Sequence, residues 1–194
     1  MNYPNKISKT KVKNTNYANR GMFLEEDLNL SNKYYLESNI AIIHKKPTPI
    51  KIVKVSFDSK KNATINEAYF KMPSTTDYNG IYKGKYIDFE AKEVKNNKCF
   101  PLSNINNHQI MHIKNVINHG GIAFLIVRFN IINTTFVLKG EDLLVFVDEN
   151  KKSIPLAFFK EKGFIIKESF VPRLNYLETI NNIYLGEKVW IILI

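Results

Sequence analysis

Hydrophobic residues recur along the chain at spacings typical of helices in some segments and of strands in others. Helical spacing predicts helices over residues 21–38, 104–119, 141–146 and 173–184. Acidic residues near the start of the first helix and Gly120–Gly121 after the second support these boundaries. β-branched and aromatic runs bounded by prolines or turns predict strands over 40–44, 50–57, 67–72, 122–129 and 134–138, and a β-hairpin over 77–94. Polar residues 58–66 predict a projecting turn, and apolar residues 189–194 a closing strand or cap. Strands mixed with a few helices indicate one α/β or α+β domain.

The strand predicted over residues 86–94 carries the unusual pattern. Side chains alternate between the two faces of a strand, so Ile87, Phe89 and Ala91 point towards a core. The other face presents two acids and a lysine in a row, Asp88, Glu90 and Lys92. Such a row adds little to stability, which favours a functional interpretation over a plain solvated face.

A two-residue turn at Lys83–Gly84 sets the pairing of this hairpin. It places Asp77 opposite Glu90 and Thr75 opposite Lys92, with Asn79 opposite Asp88. Directly opposed like charges destabilise a sheet, and a cation between the two carboxylates removes the conflict. The pairing therefore predicts a hard-oxygen site suited to Mg²⁺, with a lysine beside it. A turn at Asn79–Gly80 is the competing choice, and it would break this register.

The net charge is +10, which favours a polyanionic partner such as nucleic acid, and the basic excess lies in the first 140 residues. Lysine outnumbers arginine 25 to 3, so the excess is also what an AT-rich coding genome would produce. Residues 1–19 are predicted to form a basic, disordered arm, and residues 20–194 a single domain. No apolar run is long enough for a bilayer crossing, and the single cysteine excludes a disulfide framework. These features favour the cytoplasm.

Two histidines, His108 and His112, lie four residues apart on a predicted helix, the spacing of half a metal site. Neither an HExxH motif nor a cysteine partner accompanies them, so ordinary structural histidines are expected. Cys99 is expected to be a free thiol, because no Cys–His nucleophile pair is evident.

The Asp…Glu-x-Lys pattern of the hairpin resembles the PD-(D/E)XK nuclease superfamily, and longer segments resemble the RecU family of Holliday junction resolvases. These segments are NRGMFLEEDLNLSNKYYL (19–36), IAIIHKKPTPI (40–50), EAYFKMPSTTDYNGIYKGKYIDFEAKE (67–93), FPLSNINNHQIMHI (100–113) and VPRLNYL (171–177). They follow the family's order and span residues 19 to about 177.

The resemblance implies a restriction-endonuclease-like mixed β-sheet flanked by helices, with a stalk near residues 57–68 projecting from a single nuclease domain. It also implies a homodimer that binds four-way DNA junctions and makes paired symmetric nicks with Mg²⁺, in homologous recombination and DNA repair. By motif position, the metal ligands would be Thr75, Asp77, Glu90 and Gln109. Lys92 would stabilise the transition state, and Glu25 would assist the site. Lysines are expected to contact DNA at two places, Lys45 and Lys46 in one segment and Lys60 and Lys61 at the stalk tip.

Two alternatives remain open at this point. One is a duplex or flap nuclease on the same fold. The other is a junction-binding protein that modulates the RecA recombinase without cutting, although a pure binder has no need of acids near phosphate. RecU-like proteins are also linked to RecA, so binding and cutting can coexist.

Overall fold

The computed structural model describes residues 24–59, 62–71 and 75–186. The strands in this part of the chain are β1 (Ile42–Lys45), β2 (Ile50–Ser59), β3 (Asn62–Phe70), β4 (Tyr78–Tyr82), β5 (Lys85–Val94), β6 (Cys99–Pro101), β7 (Ile122–Phe129), β8 (Thr134–Lys139), β9 (Ser153–Pro155) and β10 (Phe164–Ile165). The α-helices are α1 (Leu24–Glu37), α2 (Asn107–Asn118), α3 (Gly140–Asp148), α4 (Leu156–Lys162) and α5 (Tyr176–Ile180). A π-helical turn, Asn181–Leu185, follows α5.

Six strands form one mixed sheet in the order β1-β4-β5-β7-β8-β10. Only the central β5–β7 pair is parallel, and the other neighbours are antiparallel. Strand β7 is buried along its whole length, because each face of the sheet carries its own core. Phe124 and Ile126 pack with α1 and α5, whereas Leu125 and Val127 pack with α2, α3 and α4. The predicted α/β architecture is therefore confirmed as a mixed sheet flanked by helices; its restriction-endonuclease-like class stays a prediction.

Helix α1 is held against the sheet by apolar contacts and by a buried charge. Leu24, Leu28 and Tyr35 recur at helical spacing and are buried in the core. Asp27, also buried, accepts a 2.7 Å bond from the Arg128 guanidinium and a 3.2 Å bond from Arg173. These bonds tie α1 to β7 and to the segment before α5, on the far side of α1 from solvent.

The hairpin register is the predicted one. Both turn residues, Lys83 and Gly84, have positive φ angles (48° and 72°), and Asn79 pairs with Asp88. The alternative turn is wrong, because Gly80 lies inside β4. A Cβ at Gly80 would come within 2.0 Å of the Ile42 carbonyl oxygen of β1, so the close approach of that strand requires glycine.

The polar stretch predicted as a long turn is mostly strand. Strand β2 runs to Ser59, β3 begins at Asn62, and the two pair antiparallel only with each other in the described residues. Strand β3 is exposed throughout, with the Phe70 side chain 83% exposed, so both of its faces tolerate polar residues and no apolar alternation marks it. Whether this sheet is the stalk of the resemblance stays a prediction, and Lys60 and Lys61 lie outside the described residues.

The other differences concern short elements. The last helix begins at Tyr176, later than predicted, because Leu174 forms a β-bridge with Glu168 and Asn175 has non-helical backbone angles (φ −84°, ψ 55°). Strands β6, β9 and β10 and helix α4 were not predicted, since two to seven residues carry too little periodicity. The predicted basic arm and the apolar end, residues 189–194, lie outside the described residues. No helix in the described ranges has the length and apolar content to cross a bilayer.

Candidate active site

The two opposed carboxylates of the hairpin lie together at the end of the β4–β5 pair. Asp77 directly precedes β4, and its backbone N–H donates to Glu90 Oε2 at 3.1 Å. Asp77 is half-buried and Glu90 fully buried, because β5 occupies the middle of the sheet with helices on both faces. The register thus places one carboxylate at a cleft and the other beneath it.

Glu90 is a buried acid with an incomplete set of partners. The Lys92 ammonium lies 2.5 Å from Glu90 Oε1, but no donor is aligned on this oxygen in hydrogen-bond geometry. Burial, to which the charge of Asp77 adds, raises the pKa of Glu90 to about 7 against the opposing effect of Lys92. Among the described residues, Glu90 therefore has one positively charged neighbour, the Lys92 ammonium at Oε1, and one backbone donor, the Asp77 N–H at Oε2.

Glu25 and Thr75 border the same cleft as Asp77. This cleft, of about 240 Å³, is formed by the start of α1, the segment after β1 and the loop before β4. Thr75 is half-buried, and its hydroxyl donates to the Thr76 carbonyl at 3.3 Å. Glu25 lies 2.5 Å from the Lys45 ammonium at the exposed rim. The structure thus brings both predicted residues to the side of Asp77.

Gln109 lies at the start of α2, where it serves as part of a cap. Its side-chain oxygen accepts the Asn106 N–H at 2.9 Å, and the Asn106 side chain accepts an N–H in return. Gln109 is buried, and no hydrogen bond of the described residues joins it to Asp77 or Glu90. Its role as a metal ligand stays a prediction from the resemblance.

The two neighbouring lysines predicted to contact DNA have different environments. Lys45 is at the rim with Glu25, whereas Lys46 points inwards and lies 2.7 Å from Asp88 Oδ2. The Lys46 backbone N–H also donates to the Asp77 carbonyl at 2.7 Å. Any contact of Lys46 with phosphate must therefore compete with a buried ion pair.

Asp88 has no role in the site that the sequence predicts, yet it is the most contacted of these acids. Four side chains converge on its buried carboxylate: Lys46, Tyr86 (2.8 Å) and His112 (3.1 Å) on Oδ2, and the Thr76 hydroxyl on Oδ1. Burial alone would raise the pKa of Asp88, but Lys46, Thr76 and His112 outweigh it and lower the pKa below its usual value. The expected structural role of His112 is thus observed as a contact with Asp88.

The oxygen donors at the cleft suit a hard divalent cation. Asp77 and Glu90 supply anionic oxygens and Thr75 a hydroxyl, and Glu90 Oε1 is the buried acceptor without an aligned donor. Within the described ranges, no three Asp, Glu, His or Cys side chains are grouped to hold a metal. Any ion here would accordingly draw on the threonine, an amide or water as well as the two carboxylates.

The sequence of this chain is similar to one protein family and to several named proteins. A family profile described as Recombination protein U (RecU) matches residues 19–182. The chain is 50% identical over 173 residues to Holliday junction resolvase RecU of Geobacillus sp. (strain WCH70), covering 87% of this chain and 86% of that protein. It is 49% identical over 180 residues to Holliday junction resolvase RecU of Bacillus cytotoxicus, covering 91% and 90%. On this profile and these identities, the chain belongs to the RecU family.

Proposed function

We propose that this protein is a Mg²⁺-dependent endonuclease that resolves four-way DNA junctions by paired symmetric nicks. The observation that carries this function is the juxtaposition of Asp77, Glu90 and Lys92 at one end of the β4–β5 pair. Relatives of about half-identical sequence bear the name Holliday junction resolvase, which supplies the substrate class. The net charge of +10 suits a polyanionic substrate.

The carboxylates of Asp77 and Glu90 and the hydroxyl of Thr75 would hold the cation. When bound, Mg²⁺ supplies charge that polarises a phosphoryl oxygen and activates water. Gln109 would join through the second lone pair of its amide oxygen, since the first accepts the Asn106 N–H. Glu25, across the cleft from Asp77, would add a carboxylate that assists the site.

Lys92 would act on the reacting phosphate. Its ammonium lies 2.5 Å from Glu90 Oε1, and its side chain is part-exposed, so solvent and substrate have access to this charge. A fixed positive charge there stabilises the negative charge that develops on the phosphoryl oxygen, or holds the attacking water.

Two copies of the site in a homodimer would match the two-fold symmetry of a four-way junction. Each copy would nick one of two symmetry-related strands, with Lys45 and Lys46 contacting phosphates at the cleft and Lys60 and Lys61, at the tip of the expected stalk, contacting DNA at the junction centre. Such an enzyme would act in the cytoplasm, in homologous recombination and repair, and would also contact the RecA recombinase.

The substrate class is tested by comparing nicking of a labelled four-way junction with that of a linear duplex of the same sequence, in Mg²⁺ and in EDTA. We expect junction nicking to exceed duplex nicking by at least an order of magnitude and to cease in EDTA. Equal rates on both substrates would instead favour a duplex nuclease. Tight junction binding without cleavage in Mg²⁺ or Mn²⁺ would favour the non-cleaving regulator.

A further inference from the structure

Asp88 connects the segments that carry the proposed metal ligands. Its four partners come from different places: Lys46 follows β1, Thr76 lies in the loop before β4, Tyr86 is on β5, and His112 is on α2. The structure thus gathers four separate segments around one fully buried carboxylate.

Each of these segments either carries a proposed metal ligand or contacts one. Thr76 lies between Thr75 and Asp77, and its buried hydroxyl donates to Asp88 Oδ1. The Lys46 ammonium donates a hydrogen bond to Asp88, and the Lys46 backbone N–H donates one to the Asp77 carbonyl. The loop that carries two ligands is therefore tied to Asp88 both directly and through Lys46.

The remaining ligands are tied in the same way. Glu90 follows Asp88 by two residues on β5, so the two carboxylates share one face of the strand. His112 lies one helical turn beyond Gln109 on α2, and its Nε2 is 3.1 Å from Asp88 Oδ2. Asp88 itself has its oxygens engaged by donors, so it is a poor candidate for a ligand.

We infer that Asp88 is the positioning residue of the metal site, holding the loop of Thr75 and Asp77, strand β5 and helix α2 in one arrangement. This inference rests on the proposed function, because it concerns the affinity of that same site for a divalent cation. The general logic is that partners behind the ligands fix their orientation, and losing one such partner lowers metal affinity by about 10–100-fold.

Asp88→Asn tests this directly. The amide keeps the shape and one acceptor oxygen, but it cannot balance the Lys46 ammonium or accept all four donors. We expect Mn²⁺ affinity, measured from the free-ion signal in electron paramagnetic resonance, to fall about tenfold or more. The Mg²⁺ concentration for half-maximal nicking should rise in parallel, while the Kd for junction DNA in Ca²⁺ stays within about twofold.

Asp27→Asn is the matched control. Asp27 is likewise a buried, ion-paired acid, but its partners Arg128 and Arg173 tie α1 to β7 and to the segment before α5 rather than to the ligand loop. Both variants should lose thermal stability, whereas only Asp88→Asn should lose Mn²⁺ affinity. Equal Mn²⁺ affinity in wild type and Asp88→Asn, with a fall in melting temperature like that of Asp27→Asn, would overturn the positioning role and leave a purely structural one.

The wild type separates this inference from the proposed function. A wild type that binds Mn²⁺ but nicks no junction would contradict the proposed function, while the Mn²⁺ affinities of the two variants would still decide the role of Asp88. A wild type that binds no Mn²⁺ would overturn both the metal site and its positioning residue.

Discussion

Asp88 and Glu90 lie two residues apart on one face of β5 and are both fully buried, yet their pKa values shift in opposite directions. Four donors from four segments surround Asp88, and together they hold its pKa low. Glu90 has a backbone N–H on one oxygen and an unaligned lysine on the other, with Asp77 adding negative charge. Burial alone therefore does not determine the direction of the pKa shift of these acids. The number of hydrogen-bond donors and positive charges around each carboxylate does.

Under the proposed function, this difference distinguishes a carboxylate that would position other residues, Asp88, from one that would bind the cation, Glu90. A buried acid whose acceptors are filled stabilises the arrangement around it. A buried acid with too few positive partners lowers the stability of the folded chain when it is ionised. A bound divalent cation would offset this loss. If the proposed function holds, neighbouring positions on one strand serve stability and chemistry separately.

The largest expected effect is on nicking by Glu90→Gln. Loss of the anionic oxygen should reduce the nicking rate on the order of 10³-fold, because both cation binding and charge stabilisation depend on it. The rate is measured on a labelled four-way junction at saturating protein. Glu149→Gln, which removes an exposed acid at the end of α3, should leave the rate unchanged. Near wild-type nicking rates in Glu90→Gln would show that Glu90 is not part of the active site.

The next effect is on stability when Asp88 loses its main cation. Lys46→Met leaves a buried carboxylate undercompensated and should lower the free energy of unfolding by about 3–5 kcal/mol. Urea denaturation measures this loss. Lys33→Met, which breaks an exposed pair with Glu37 on α1, should cost no more than about 0.5 kcal/mol. Equal losses in the two variants would show that the Asp88 cluster contributes no more than a surface pair.

A smaller effect concerns the pH dependence set by Glu90. Because its pKa is raised from 4.5 to about 7, the folded state holds a proton that the unfolded state releases between these values. Glu90 therefore lowers stability as pH rises through this window. Glu90→Gln should melt higher than wild type at pH 8, by roughly 2–5 °C, with the difference shrinking towards pH 4.5.

Added Mg²⁺ gives a second comparison of wild type with Glu90→Gln at pH 8. Bound cation stabilises only a folded state that can hold it, so Mg²⁺ should raise the melting temperature of wild type at pH 8 and leave that of Glu90→Gln unchanged. A wild type that melts higher than Glu90→Gln at pH 8 without metal would show that Glu90 is already satisfied by Lys92.

The smallest effect is expected for His112→Gln. The variant removes one of the four partners of Asp88 and keeps a donor of similar reach, so the free energy of unfolding should fall by only about 0.5–1.5 kcal/mol. A loss as large as that of Lys46→Met would make the histidine, rather than the lysine, the main counter-charge of Asp88.

The hairpin chemistry could be predicted from local sequence, because turn type and the two-residue repeat of strands determine which residues face one another. Asp77 and Glu90 were found in this way. The role of Asp88 could not be found, because Lys46 and His112 lie 42 and 24 residues away and reach it only through the sheet order and the packing of α2. Strand β2 agrees with its predicted start at residue 50, whereas β3 begins at Asn62, earlier than the predicted 67, because a strand exposed on both faces carries no apolar alternation.

The most direct test of the central claim is to map nicks at nucleotide resolution on a four-way junction in Mg²⁺, with wild type, Asp77→Asn and Lys92→Ala side by side. We predict paired nicks at symmetry-related positions for wild type, and their loss in both variants while junction affinity is retained. Unchanged nicking by either variant, or wild-type nicks without symmetry, would contradict a junction-resolving site built on Asp77, Glu90 and Lys92.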